Sequence, residues 1–271
     1  MGPSPNQAAL WIWKESNEPM CTVTVIPWQP NSAKQTPSTG FRLACNRDES
    51  RNRPLALPPQ TRNYGSRRAI LPIDPISDGT WIAVNDRGLV MTLLNVYEQQ
   101  PGLGHAVRNP NWRSRGVIIP ELLGADSALD AAKACGRLIA IEFPPFRLII
   151  VDRSSIVEAR SNGTELSFAQ QPLRTNPVMF TSSGIGDQIV DGPRRKLFEE
   201  MFFDTVDFGA TQDAFHRHSW PDRTHLSVCM SRPEAMTVSN TVVEVSSDRV
   251  RLRYVGAAPD QPVEKELTLV S

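Results

Sequence analysis

Short apolar runs separated by turn residues set the pattern of this chain. Cys21-Thr22-Val23-Thr24-Val25-Ile26 is a β-branched run that Pro27 is expected to end. Phe41-Arg42-Leu43-Ala44-Cys45 reads as a second strand, which leads into the polar cluster Asn46-Arg47-Asp48-Glu49 at its end. From 53 to 75 the many prolines and the Arg67-Arg68 pair predict an irregular surface excursion. Residues 80–84 and 88–94 form a predicted hairpin, with Asn85-Asp86-Arg87-Gly88 supplying residues that tolerate positive φ. Both of its strands are apolar almost throughout, which suits a sheet covered on both faces. Helical spacing follows over 114–123 and 125–140, the second with Asp126 or Ser127 as its N-cap. Residues 146–151 read as a buried strand, Asn162-Gly163-Thr164 as a turn between two strands, and 193–203 as a helix with Pro193 in first position. Residues 238–245 and 250–255 alternate as an antiparallel pair joined by Ser246-Ser247-Asp248. No repeat or low-complexity tract interrupts the pattern.

Composition narrows the function classes. At 271 residues, with 40% hydrophobic and 21% charged positions, the chain suits one large domain with a single core. Lys plus Arg and Asp plus Glu both total 29, so no net field favours nucleic acid or an anionic membrane surface. Cys21, Cys45, Cys135 and Cys229 lie far apart with no C-x-x-C pair, which argues against a zinc ribbon or a disulfide scaffold and fits a reducing compartment. Residues 1–19 lack a basic start followed by a long apolar run, and no stretch approaches the ~20 apolar residues of a membrane span. The expectation is a cytoplasmic protein; the pattern sets no oligomeric state. His216-Arg217-His218 reads as a solvated loop, His225 as structural, and no metal site is indicated.

Cys21 follows Met20. If the chain began at Cys21, one residue would carry a thiol and a free α-amine of pKa near ~8, able to act as base for its own thiol. An amide-bonded Cys21 nitrogen cannot do this, and the alternative is a buried strand cysteine.

Asn46-Arg47-Asp48-Glu49, the stretch from Gly79-Thr80-Trp81 to Asn85-Asp86-Arg87-Gly88, Leu93-Leu94-Asn95, Thr181-Ser182-Ser183-Gly184-Ile185-Gly186-Asp187 and Pro193-Arg194-Arg195-Lys196 occur in that order. Together they resemble the signatures of the NRDE family, also called the Transport and Golgi Organization family. The resemblance implies an α+β, four-layer αββα sandwich of the N-terminal-nucleophile hydrolase type over 21–271, with 1–20 a flexible leader or a mis-assigned start. By comparison with the distantly similar choloylglycine-type amidases, Cys21 would be the nucleophile. Asp48 would hold the α-amine or thiol, and Arg47 would lower the thiol pKa or bind an anionic substrate. Asn95 would stabilise an oxyanion, and Asn46, Asn176 and Ser183 are the substrate-binding candidates. For Arg47 and Asp48 a fold-stabilising ion pair competes, and for Asn95 a turn asparagine. The implied activity is an amidohydrolase or acyltransferase acting on a small amide, without a cofactor. The alternative is a non-catalytic carrier of a small ligand such as haem, which Cys21, His105, His216 or His218 would bind.

Overall fold

The computed structural model describes residues 21–28, 40–97, 109, 111–173, 176–183, 187–256 and 261–270. The expected leader at 1–20 and His105 lie outside the described residues. The chain runs through β1 (Cys21–Trp28), β2 (Gly40–Ser50), β3 (Leu57–Tyr64), β4 (Arg67–Ile73), β5 (Ile82–Asn85) and β6 (Val90–Asn95) to α1 (Ile118–Leu122) and α2 (Ala128–Cys135). Next come β7 (Phe146–Val151), β8 (Ser155–Ser161), β9 (Leu166–Pro172), β10 (Val178–Ser182), α3 (Asp187–Phe202) and α4 (Phe208–Arg217). They are followed by β11 (Ala235–Val245), β12 (Arg249–Val255) and β13 (Val263–Thr268).

Strand alternation distributes these residues over two antiparallel sheets. One sheet has the order β10-β1-β2-β11-β12-β13; the other runs β3 to β9 in sequence order. In β7, Ile149 and Val151 enter the core between the sheets, whereas Phe146, Leu148 and Ile150 pack under α1 and α2. Both faces are buried, as the unbroken apolar runs require. In the other sheet Val23, Val25, Phe41 and Leu43 point into the same central core, and Ile26 and Met179 meet Phe198, Phe202 and Phe215 of α3 and α4. The result is the αββα sandwich expected above. Each fully buried Leu or Phe of the central core contributes about 1.5–3 kcal/mol of burial free energy.

Several local expectations hold. Ser127 Oγ caps α2 by accepting from Asp130 N–H, Gly88 turns the β5–β6 hairpin at φ 75°, and β7 spans the expected residues. Others are corrected. β1 continues through Pro27 because β10 pairs only as far as Val25; beyond it, the missing N–H faces no neighbouring strand. Asn46–Glu49 lies within β2 rather than beyond its end, since β11 pairs with it as far as Ser50. The supposed surface excursion is the β3–β4 hairpin; Pro58 and Pro59 are tolerated because β3 is an edge strand with an irregular register between Leu57 and Gln60. Pro193 lies inside α3, which starts at Asp187. His216 is in α4 and buried, not in a solvated loop.

Candidate active site

Register assembles the centre. β1 lies between β10 and β2, so Cys21 stands opposite Ser182 on one side and Arg47 on the other, and Arg47 stands opposite Ser239 of β11. These side chains form a row across the inner face, with strands about 4.8 Å apart. Cys21 is 8% exposed and belongs to the central core. The Arg47 guanidinium lies 4.4 Å over the Trp81 ring, and its Nη2 reaches Glu49 Oε2 at 3.0 Å and Asp74 Oδ2 at 3.3 Å. Arg53 joins the cluster, donating to Asp74 Oδ2 at 2.7 Å. Arg47, Glu49, Arg53, Leu55, Tyr254 and Gly256 line part of a cleft of about 220 Å³. The candidate thiol therefore sits one strand in from the cleft wall.

The other face of the same strands is polar and covered. Asp48 follows Arg47 on β2 and so lies level with the amino end of Cys21. Its Oδ1 accepts from Thr237 Oγ1 at 2.5 Å; its Oδ2 has no hydrogen bond among the described residues, and Arg194 Nη2 lies 4.0 Å away. Burial pushes the Asp48 carboxyl up to about 7 against the pull of Arg194, Thr237 and Arg232. Arg194 is fully buried and donates to Thr22 Oγ1, Thr181 Oγ1, Leu226 O and Ser227 O, joining α3 to β1 and β10. Burial raises the Cys21 thiol well above the usual range, and Cys45 and Asp48 add to this, while a hydrogen bond from the Asp48 backbone N–H and the charge of Arg47 pull it back.

The predicted residues divide by face and by end. Cys21, Arg47 and Asp48 come together. Asn46 is turned to the helix side, where its Nδ2 donates to His216 O at 2.8 Å and Val228 O at 2.9 Å while its Oδ1 accepts from Asn240 Nδ2. That amide is engaged in holding α4 and β11, on the face away from the Cys21 side chain. Asn95 pairs with Phe146, whose side chain lies in the outer core, and it donates to Tyr97 Oη at 2.7 Å. Alternation turns it away from the inner face that carries Cys21. Asn176 is exposed at the far end of β10, beside a second cleft lined by Val25, Pro27 and Gln171, and is not brought to Cys21. Ser183 is buried directly after Ser182. His216 Nε2 meets Thr24 Oγ1 at 2.8 Å and Nδ1 meets Asn46 Oδ1 at 3.1 Å; burial, with Arg42 and Arg194, brings its pKa down to about 3. Among the described residues no group of His, Cys, Asp and Glu could hold a metal ion, no helix is long and apolar enough to cross a membrane, and all four cysteines are free. Trp81, Ser182 and Arg194 were present in the quoted motifs without an assigned role, because only register and packing reveal their neighbours.

Residues 20–207 match the family described as Transport and Golgi organisation 2. No curated protein matches the chain at a significant level. Among solved structures, one variant of conjugated bile acid hydrolase from Clostridium perfringens is 10% identical, with 93% of this chain and 97% of that one covered at a TM-score of 0.51. A second variant of that hydrolase is 10% identical, with coverage of 92% and 97% and a TM-score of 0.50. An N-acylethanolamine-hydrolyzing acid amidase orthologue from Caenorhabditis elegans is 14% identical over 82% of this chain and 92% of that one, at a TM-score of 0.47. At these identities the Clostridium likeness is one of fold, and it identifies the sandwich as N-terminal-nucleophile hydrolase-like.

Proposed function

The chain belongs to the Transport and Golgi organisation 2 family, and from that premise we propose that it is an N-terminal-cysteine amidohydrolase or acyltransferase acting on a small amide, with a functional unit that begins at Cys21. The observation that carries this reading is Asp48. A buried carboxylate level with the amino end of β1 keeps one oxygen without a hydrogen bond among the described residues, which suits an α-ammonium group there. With a free amine on Cys21, that amine takes the thiol proton and the thiolate adds to the substrate carbonyl. The tetrahedral intermediate collapses as the leaving amine takes up the proton, and water or a second amine then releases the acyl group from the thioester. Arg47 borders both the thiol and the cleft, so it is suited to lowering the thiol pKa and to orienting the substrate carbonyl. The hydrolase function of the Clostridium fold neighbours supports the reaction class.

A second reading is favoured by one observation: burial holds the Cys21 thiol well above the usual range. In that reading the protein is a non-catalytic carrier whose cleft takes a small ligand, haem being one. His216 is a poor haem ligand here because both of its ring nitrogens already have partners. Haem titration followed at the Soret band separates a carrier from an enzyme.

Intact mass of the protein expressed from its native gene, before and after iodoacetamide, tests the first reading. The expected result is a mass that starts at Cys21 and a single fast adduct, absent in Cys21→Ala. Retention of residues 1–20 with Cys21 labelling no faster than Cys135, whose thiol burial pushes up to about 12, would remove the self-activated thiol and leave the carrier.

A further inference from the structure

Acyl transfer to a thiol places negative charge on the former carbonyl oxygen, and a donor must meet that oxygen at about 2.7–3.1 Å. None of the three asparagine candidates stands ready beside Cys21. Asn46 is consumed on the opposite face, Asn95 donates to Tyr97, and Asn176 is at the far end of β10. One hydroxyl does stand there. Ser182 is the register partner of Cys21 on β10, and its side chain shares the inner face. Directly opposed residues of an antiparallel pair have Cβ atoms about 4.5–5.5 Å apart, which puts the hydroxyl beside the sulfur. Ser182 is 1% exposed, and its Oγ has no hydrogen-bond partner among the described residues. Of the buried side chains in that condition, Ser182 alone pairs with Cys21. Its backbone position is also fixed: the adjacent Thr181 donates through Oγ1 to Cys21 O at 3.1 Å and accepts from Arg194 Nη1 at 3.3 Å.

We propose that Ser182 Oγ–H is the oxyanion donor for acyl transfer to Cys21, on the side of the thiol away from Arg47. The inference rests on the nucleophile reading above. As the Cys21 sulfur forms its bond to the carbonyl carbon, the C=O π pair moves to oxygen, which accepts the Ser182 hydroxyl hydrogen without taking its proton. Return of that pair expels the leaving group and leaves a thioester. An unpartnered hydroxyl can make this bond without first breaking another.

Two probes applied to the protein expressed from its native gene separate this role from packing. p-Nitrophenyl acetate acylates a thiol through a tetrahedral oxyanion; iodoacetamide alkylates the same thiol by displacement, with no oxyanion. Ser182→Ala is expected to slow acylation of Cys21 by p-nitrophenyl acetate about 100-fold, read by nitrophenolate release and intact mass, while alkylation stays within about twofold of wild type, the control expected when no oxyanion donor is engaged. Ser182→Thr, which keeps a hydroxyl, should recover most of the acylation. Unchanged acylation in Ser182→Ala, with wild type acylated on Cys21, overturns the Ser182 assignment and leaves the nucleophile standing. Equal slowing of both reactions, unrepaired by threonine, makes Ser182 a packing residue. Wild-type protein that is neither acylated on Cys21 nor alkylated there faster than on Cys135 removes the nucleophile reading, and the donor with it.

Discussion

Asp48 and His216 are buried on the same face of one sheet and titrate in opposite senses. The Asp48 carboxyl is raised to about 7 in the fold, so the folded state holds a proton that the unfolded chain has released. Its contribution to stability is full below the ordinary carboxylate pKa and is lost as pH rises through 7. His216 is lowered to about 3, so its contribution is present above the ordinary histidine pKa and is lost as pH falls towards 3. The two slopes oppose each other between about pH 4 and 6.5. Urea unfolding across this range of protein that retains residues 1–20, in which the Cys21 nitrogen is an amide and carries no charge, should therefore show that the stability difference, wild type minus Asp48→Asn, shrinks as pH rises from 4 to 7; a difference that is flat or grows would contradict the assignment. The residue scale also limits what could be read in advance. Asn46 and Arg47 are adjacent letters of one motif, yet the first is spent on α4 and the second faces the cleft. The motif names both; only alternation and cross-strand partners decide which meets Cys21.

At the scale of elements, α3 is fixed to its sheet through Arg194, whose guanidinium ties it to β1, to β10 and to the turn at Leu226 and Ser227. Arg194→Leu removes the cation nearest Asp48 and leaves several acceptors unpaired. A loss of roughly 3–5 kcal/mol in urea-unfolding free energy is expected, with α3 the first segment to gain amide exchange. A second junction depends on two glycines. A Cβ on Gly79 would lie 2.4 Å from the backbone of Gly116, while Thr80 N–H donates to Gly116 O at 2.9 Å. Gly79→Ala must part these segments and should cost roughly 1–3 kcal/mol. Because Gly79 bridges to Asp74, which holds Arg47 and Arg53, the change should also alter Cys21 labelling. The sequence exposed the β5–β6 hairpin, β7 and the β11–β12 pair, where apolar runs and turn residues agree. It hid β3 and Pro27 of β1, because proline is tolerated where no neighbouring strand needs its N–H, and sheet order alone reveals that.

For the whole molecule, one core between two sheets carries both the fold and the candidate centre. Leu43 and Ile149 are fully buried on facing sheets. Leu43→Ala should cost about 2–5 kcal/mol and lower the urea midpoint without changing the folded spectrum; unchanged stability would argue against the packed sandwich. The αββα layering was legible from the ordered motifs and from strands apolar on both faces, whereas sheet order was not, since neighbours such as β1 and β10 are remote in sequence.

That remoteness has a consequence for synthesis. The contact between Thr181 and Cys21 spans 160 residues, and β11 must also arrive to cover the far side of β2. At ~5–20 residues per second, roughly 10–50 s pass between the translation of Cys21 and that of β11. For most of that interval the cysteine lacks its Ser182 neighbour, and until β11 arrives it lacks the completed sheet, so a nascent or prematurely terminated chain carries the thiol without the candidate centre around it. Chain completion thus sets the earliest moment at which the candidate centre can exist.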